Sequence, residues 1–226
     1  GNSDYGIHLD KSRRVIARGN EVYDNGVGIL ADGRGLDATD AIVVEDNDVH
    51  DNDTTGVYAR GAVTVEGNTV WGHSGSGGRG ISASEWYPKI LGSVVFNNET
   101  GIFANRVEAV EGNRVYDNAK DGIHSEIGSP TIQGNVAYGN DTGISVSGSV
   151  YGSNPGGHVL NNLVYGNSNR GILITDSRGA TVINNTVYQE VGDAIRVEGS
   201  NTNGLTLRNN ILWVDSGCDI YVDDVA

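Results

Sequence analysis

The amino-acid sequence predicts a right-handed parallel β-helix, a solenoid of about nine to ten coils of roughly 24 residues that stack into three short parallel sheets. Three observations predict this fold: a regularly repeated asparagine, short segments rich in Val and Ile around each asparagine, and Gly/Asn/Asp clusters between those segments. The 226 residues include 34 Gly but only 3 Pro and no Met. Such a composition is typical of many short strands joined by tight turns.

The repeat is clearest in a first asparagine column, whose members recur about every 24 residues, a period expected of solenoids. An aliphatic residue stands three positions before nearly every member and another stands two positions after it. The column consists of Asn20, Asn47, Asn68, Ser93, Asn113, Asn135, Asn162, Asn185 and Asn210. An aromatic column lies three positions after the first and reads Tyr23, His50, Trp71, Phe96, Tyr116, Tyr138, Tyr165, Tyr188 and Trp213.

A second polar column follows five positions after the first, before a small residue and an aliphatic one, mostly Gly-Ile, open the next strand. It reads Asn25, Asn52, His73, Asn98, Asn118, Asn140, Asn167, Glu190 and Asp215. Stacked coils place equivalent residues about 4.8 Å apart, so we expect aliphatic columns to form the core. We expect asparagines to occupy left-handed turn positions and to hydrogen-bond along the stack. The first column is predicted to be buried and the second, with Asn98, to lie further out.

The pattern N-x-V-[YFW]-x-N-x-x-x-G-I resembles the repeats of the right-handed parallel β-helix superfamily, which includes pectate lyases, polygalacturonases, mannuronan epimerases and alginate lyases. The resemblance covers the whole chain and rests on ladder residues. It implies a polysaccharide-active protein whose substrate cleft lies on the sheet of Gly-Ile strands. The D-P-H motif of the epimerases is absent, however, and the nearest cluster of histidine and acid is D-G-I-H-S-E at residues 121–126.

The solenoid is predicted to be a single domain over residues 1–226. Its first residues already fit the repeat, because Asn2 falls in the second polar column and Gly6-Ile7 opens a strand. No helical segment that could cap the stack is visible at either end. Uncovered parallel edges invite aggregation, so we expect further coils, caps or a partner at the two ends.

Charge and composition exclude several classes of function. The net charge of −14 opposes binding to nucleic acid, and no apolar run approaches the roughly 20 residues that span a bilayer. Cys218 is the single cysteine, so an intrachain disulfide is excluded. The resemblance implies a secreted or cell-surface protein of bacterial or archaeal origin.

Longer loops interrupt the repeat at residues 31–41, 72–79 and 147–157, and all three adjoin the Gly-Ile sheet. Because functional residues stand on a scaffold rather than in its repeated columns, we expect these loops to border a cleft. Solenoid turns also tolerate insertions at small cost, so tolerated loop growth is the competing interpretation.

The outward face of the Gly-Ile sheet supplies the candidate site residues. Side chains alternate along a strand, so the residue after each inward aliphatic points outward, as does the next but one. Tyr, His and Glu exchange protons, aromatic rings stack on sugars, and Arg pairs with carboxylates. The predicted catalytic residues are His124, Tyr58 and Glu126, and the predicted substrate-binding residues are Arg60, Trp86, Phe103, Asn105 and Arg106.

No metal ligands are predicted, and calcium is the one cofactor that the sequence leaves open. The acidic stretch at residues 45–53 supplies oxygen atoms of the kind that calcium binds. Its spacing matches no EF-hand, and in the repeat its Asp residues fall at turns. We therefore interpret it as a solvated turn.

Two classes of function stay open. The first is a carbohydrate-active protein that binds an acidic polysaccharide and, if it is an enzyme, cleaves it by β-elimination or epimerises it. The alternative is a non-catalytic β-helix that serves as a surface, adhesion or structural module. The aromatic and Arg-bearing face between the long loops favours the first.

Overall fold

A computed structural model describes residues 1–85, 87–148 and 156–223 and confirms the predicted right-handed parallel β-helix. Each coil contributes one strand to each of three sheets, and every strand pairs in parallel with the equivalent strand of the next coil. In the described part of the chain the only helix is a 3-10 turn at Ala38–Asp40.

Sheet A, built from the Gly-Ile strands, contains ten strands in the described residues. Its strands are β1 Tyr5–Asp10, β4 Val27–Gly33, β7 Thr55–Gly61, β10 Arg79–Ser84, β13 Thr100–Asn105, β16 Asp121–Glu126, β19 Thr142–Ser147, β22 Arg170–Thr175, β25 Asp193–Glu198 and β28 Ile220–Val222.

Sheets B and C contain nine strands each over the same described residues. Sheet B comprises β2 Ile16–Arg18, β5 Ile42–Glu45, β8 Val63–Glu66, β11 Lys89–Leu91, β14 Ala109–Glu111, β17 Thr131–Gln133, β20 His158–Leu160, β23 Thr181–Ile183 and β26 Thr206–Arg208. Sheet C comprises β3 Glu21–Tyr23, β6 Asp48–His50, β9 Thr69–Trp71, β12 Val94–Phe96, β15 Arg114–Tyr116, β18 Val136–Tyr138, β21 Leu163–Tyr165, β24 Thr186–Gln189 and β27 Ile211–Val214.

The core is a set of stacked aliphatic columns. Ile81, Ile102 and Ile123 lie in register on neighbouring strands and are fully buried. The glycine before each isoleucine is required by close approach between coils. A Cβ atom on Gly101 would lie 2.5 Å from both the carbonyl oxygen of Gly122 and a methyl group of Val115.

The first asparagine column forms a buried ladder, as predicted. The side-chain amide of Asn113 donates to the side-chain oxygen of Asn135 at 3.0 Å, and the side-chain amide of Asn135 donates to the side-chain oxygen of Asn162 at 3.0 Å. The same oxygens accept the backbone N–H of the preceding rung. Ser93 keeps this backbone contact, because its own N–H donates to Asn113 at 2.9 Å.

The second column is a ladder of the same kind, so its predicted outer position was wrong. Asn98 is 1% exposed, and its amide donates to Phe96 O at 2.9 Å and to the side-chain oxygen of Asn118 at 3.1 Å. The chain bends sharply at the corner between sheets C and A, which turns this position inward. Near the C-terminal end Gln189, rather than the predicted Glu190, supplies the oxygen that accepts from Asn167 N–H.

The left-handed turn positions are also displaced from the prediction. They fall on the residue before each ladder rung, as at Asp46, Asp51 and Asp117, and not on the rung itself. Asp, Asn and Gly tolerate this conformation best, which accounts for their frequency at the corners. Asp46 and Asp51 of the acidic stretch thus lie at turns, whereas Asp48 lies in β6.

The aromatic column is a packing stack on the outside of sheet C. Seven rings from Tyr23 to Tyr165 lie nearly parallel, with centroids 4.4–5.7 Å apart. The rings between the two ends of this stack therefore have both faces covered by neighbours, whereas Tyr23 at one end is 50% exposed. Trp213 ends the column by meeting Tyr188 edge-on.

We predict that Asn98→Leu and Asn113→Leu destabilise the fold to a similar extent, by about 1–3 kcal/mol each. Asn98→Leu removes the amide that donates to the buried carbonyl of Val70, and Asn113→Leu removes the one that donates to the buried carbonyl of Ile90. Urea denaturation of each variant checks this, with the exposed Asn169→Leu as the control. A much smaller loss of unfolding free energy for Asn98→Leu than for Asn113→Leu would show that the second ladder contributes little to stability.

His73 is a rung of the second ladder, in a position that asparagine holds in most other coils. Its ring is fully buried, with Nδ1 2.9 Å from the Asn98 oxygen and Nε2 3.2 Å from the Asn52 amide nitrogen. The neutral ring with its proton on Nδ1 satisfies both partners, since Nε2 then accepts from Asn52. Burial lowers the pKa of His73, against the hydrogen bond to Asn98, which raises it.

Stability should consequently fall as the pH drops below about 6.5, where the unfolded chain binds a proton that folded His73 resists. The slope persists until the pH passes the lowered pKa of the folded protein. His73→Asn restores the common rung, so we expect it to reduce this slope without destabilising the protein at neutral pH. Denaturation at a series of pH values compares the two chains. An unchanged slope in the variant would contradict the assignment.

Candidate functional site

The outer face of sheet A carries six of the eight predicted site residues, namely Tyr58, Arg60, Phe103, Asn105, His124 and Glu126. His124 lies beside Phe103 on one neighbouring strand and Ser145 on the other, while Glu126 lies beside Asn105 and Ser147. The core columns repeat in nearly every coil, whereas these outward positions change from coil to coil. The chemistry of the face is therefore concentrated in a few coils.

His124 is held between two carboxylates. Its Nδ1 lies 2.5 Å from Asp121 Oδ2 and its Nε2 lies 3.4 Å from Glu126 Oε1. One face of the imidazole stacks on Phe103, with ring centroids 5.6 Å apart and an interplanar angle of 8°. The side chain remains 24% exposed, so a ligand in the groove can reach it.

The two carboxylates control the protonation of this histidine. Burial lowers the pKa of His124, but the hydrogen bond and charge of Asp121, followed by those of Glu126, outweigh burial and raise it above 6.5. The folded protein therefore binds this proton more tightly than the unfolded chain. The resulting stabilisation is present below pH 6.5 and is lost as the pH rises through the raised pKa.

A groove of about 240 Å³ runs from this histidine to the edge of sheet A that adjoins sheet C. Sequence reasoning missed four of the residues that line it: Arg79, Glu99, Lys120 and Asp121. Strand alternation assigns Asp121 and Arg79 to the inside, two positions before a buried isoleucine. Each lies at a corner where the chain enters the strand, so its side chain turns outward instead. A charge directly before Gly-Ile is the signal that identifies such residues.

Arg79 brings a cation to the groove without a carboxylate partner in the described residues. Its guanidinium lies 3.6 Å from the Phe103 ring centroid, on a ring that also stacks on His124. Among the described residues the guanidinium donates one hydrogen bond, a long contact of 3.4 Å to the Ser82 hydroxyl. A guanidinium arranged in this way is available to pair with an anionic ligand.

The loop at residues 72–78 is held over this groove by Glu99. The Glu99 carboxylate accepts from the backbone N–H groups of Gly77 and Gly78 and pairs with Lys120 Nζ at 2.6 Å. The hydrogen bond from Lys120 is the main cause that lowers the pKa of Glu99. Glu99 therefore fixes the position of the loop that the sequence predicts to border the cleft.

Tyr58 and Arg60 do not join His124. They lie three coils away on β7, about 14 Å at the stacking distance of the coils. Arg60 donates to the buried Asp32 at 3.0 Å, and Arg34 grips the same carboxylate at 2.7 Å. The hydrogen bond from Arg34 lowers the pKa of Asp32, against burial, which raises it. The charge of Arg60 is therefore already engaged.

The remaining predicted residues occupy different surroundings. Asn105 is half-buried next to Glu126 in register. Arg106 lies exposed at the corner toward sheet B, with its backbone in the left-handed region at φ 57°. Trp86 and most of the loop at 147–157 lie outside the described residues. The loop predicted at 31–41 begins after β4 and leans toward sheet B, so it borders a corner and not the His124 groove.

Two known protein families match this chain. The family described as "Right handed beta helix region" matches residues 81–224, and the family described as "Periplasmic copper-binding protein (NosD)" matches residues 1–129. The chain belongs to the right-handed β-helix and NosD families. No curated protein sequence matches it.

Solved structures share the fold at low identity. The A-module of the mannuronan C-5 epimerase AlgE6 from Azotobacter vinelandii has a TM-score of 0.70 and 15% identity, over 93% of this chain and 65% of that one. The Dettilon tailspike protein has a TM-score of 0.71 and 12% identity, over 97% of this chain and 60% of that one. This chain thus spans about 60–65% of their lengths. A structure of the periplasmic alginate epimerase AlgG has a TM-score of 0.55 and 16% identity, covering 93% and 66%.

The residues present do not fit the copper that the NosD description names. Copper sites use His, Cys and Met ligands, yet the chain has no Met, and its Cys218 is exposed. Within residues 1–85, 87–148 and 156–223, no three His, Cys, Asp or Glu side chains form a metal-binding group. The same described residues include no helix long and apolar enough to cross a membrane.

We predict that Asp121→Asn lowers the pKa of His124, because it removes the anion that opposes the effect of burial. Titration of the histidine ring signals by NMR measures this directly. Glu111→Gln makes the same change of charge on sheet B and should leave the His124 titration unmoved. Equal titration curves for the parent and Asp121→Asn would mean that the short contact does not persist in solution.

Proposed function

We propose that this is a secreted or cell-surface protein that binds an acidic polysaccharide on the outer face of sheet A and transfers a proton at His124. One observation carries the proposal: a partly exposed histidine lies between two carboxylates, in the same groove as an arginine that lacks a carboxylate partner among the described residues. Titratable groups with perturbed pKa values, gathered in a groove, are typical of functional sites.

The comparisons support the class of ligand. Two of the neighbours are named as mannuronan and alginate epimerases, and both alginate epimerase AlgG and the NosD family are named as periplasmic. Proteins that share a fold often differ in activity, so the residues that line the groove must themselves account for binding and catalysis in this chain.

The groove supports proton transfer next to a carboxylate. Arg79 would pair with the carboxylate of a uronate residue and draw charge from the neighbouring carbon. Neutral His124 would accept the proton from that carbon on Nε2, while Asp121 holds the proton on Nδ1 and orients the ring. Delivery of a proton from water to the opposite face of that carbon gives epimerisation, and His124 then releases its own proton to solvent. In β-elimination the glycosidic C–O bond on the adjacent carbon breaks instead, and the departing oxygen takes up the proton from His124.

Neutral His124 is the acting form, so turnover should rise with pH through its raised pKa. Tyr58 and Arg60, three coils away, would then contact a more distant sugar of the same chain. Phe103 and Asn105 adjoin the reacting sugar in this arrangement, since both lie on the strand next to His124.

A non-catalytic solenoid is the second candidate, and one cluster favours it. The sequence D-A-I-R-V-E of β25 repeats the D-G-I-H-S-E of β16 with arginine in place of histidine. Arg196 pairs with Asp193 at 2.9 Å and Glu198 at 2.8 Å, in the geometry that His124 shows with its own carboxylates. The arrangement can thus serve as a plain ion-pair cluster on this face.

The test uses a panel of polyuronates, with unsaturated products followed by ultraviolet absorbance and epimer content followed by NMR. His124→Gln should reduce turnover by about 10²–10⁴-fold while affinity changes little. Arg79→Ala should instead weaken binding, and most strongly at low salt, where its charge is least screened. His158→Gln on sheet B is the matched control and should behave like the parent.

Binding without turnover, unchanged by His124→Gln, would select the non-catalytic module. If none of the polyuronates binds the parent protein, the acidic ligand itself is excluded.

A further inference from the structure

A second hollow lies at the opposite edge of sheet A, where the chain turns into sheet B. Its volume is about 420 Å³, and Thr64 of β8 lies at its floor. One wall is the long loop through Leu36 and Ala38, and the other includes Tyr87. A smaller hollow adjoins it and shares Leu36 and Tyr87. We name the two together the corner groove.

The loop that forms the first wall is held in place from within. The Asp37 carboxylate accepts from the N–H groups of Thr39 and Asp40 and from the Thr39 hydroxyl. Asp40 also pairs with Arg13 at 3.3 Å and Arg14 at 3.1 Å, which ties the loop to the preceding coil. The groove is therefore formed before a ligand arrives, and binding need not order the loop.

Tyr87 presents a large ring at the mouth of the groove. The residue is 66% exposed, and its backbone lies in the left-handed region at φ 83°. A bulky residue rarely adopts this conformation, and such backbone strain clusters at ligand sites. An exposed tyrosine ring above an apolar wall is suited to stacking on the C–H face of a sugar.

The charged groups that line the larger hollow are already engaged. Lys89 pairs with Oε1 of Glu108 at 3.0 Å, and Oδ1 of Asp37 accepts from its own loop. Among the described residues, the second oxygen of each carboxylate stays available to accept from a ligand. In the smaller hollow Arg34 is bound to Asp32 at 2.7 Å. The groove thus offers an apolar surface and hydrogen-bond acceptors, but little net charge for an anionic ligand.

We infer that the corner groove binds a neutral sugar residue of a glycan. The C–H face of the sugar packs against Tyr87 and Leu36, and its hydroxyl groups donate to the oxygens of Thr64, Asp37 and Glu108. Pockets of this volume, mainly apolar with a few placed polar groups, are the usual form of small-ligand sites. The site uses different residues from the His124 groove and does not rest on the function proposed above.

The experiment measures binding of the whole protein to dextran, mannan, galactan and β-glucan by affinity electrophoresis and calorimetry. Tyr87→Ala should weaken binding about tenfold, the equivalent of about 1.4 kcal/mol at 25 °C. Thr64→Arg, which fills the groove from an outward strand position, should abolish binding. Tyr23→Ala removes another exposed tyrosine, from sheet C, and should leave binding unchanged.

Two further results separate this site from the acidic-glycan site. Binding of a neutral polysaccharide should persist in His124→Gln and should change little between about 0.1 and 0.5 M NaCl, since no charge pair with the ligand is involved. The inference is overturned if no neutral polysaccharide binds, or if Thr64→Arg, shown by circular dichroism to be folded, binds like the parent.

Discussion

Hydrogen bonding between successive coils at a constant register is the constraint on which the rest of the structure depends. Two asparagine ladders fix that register at two corners, because each amide bonds to the same atom of the next coil. Three parallel sheets then propagate it around the coil. Once the register is fixed, the position of a residue within its own coil determines which residues lie above and below it.

This dependence explains how much of the molecule could be predicted from sequence. The fold, the sheet pairings and both outward columns of sheet A follow from periodicity alone, and so does the juxtaposition of Phe103, His124 and Glu126. The burial of the second ladder could not be predicted from periodicity. The sharp corner between sheets C and A turns these side chains inward, whereas their spacing along the chain implies that they point outward. Asp121 and Arg79 were missed for the same reason.

The contacts that long side chains and long loops make could also not be predicted from the repeat. Arg60 and Arg34 both pair with Asp32, and Arg34 lies in the insertion at residues 31–41. The corner groove depends on the fold of that same insertion around Asp37. Periodicity carries no information about either, since both are determined by local turn chemistry and rotamer choice.

Whole-coil register also bears on how such a chain can change in evolution. Duplication or loss of one complete coil leaves each ladder with a matching rung above and below, so the core is preserved. A single added residue within a strand would instead exchange its inward and outward faces. Clusters such as D-G-I-H-S-E and D-A-I-R-V-E therefore behave as cassettes, which duplication can copy and point mutation can then diversify without rebuilding the scaffold.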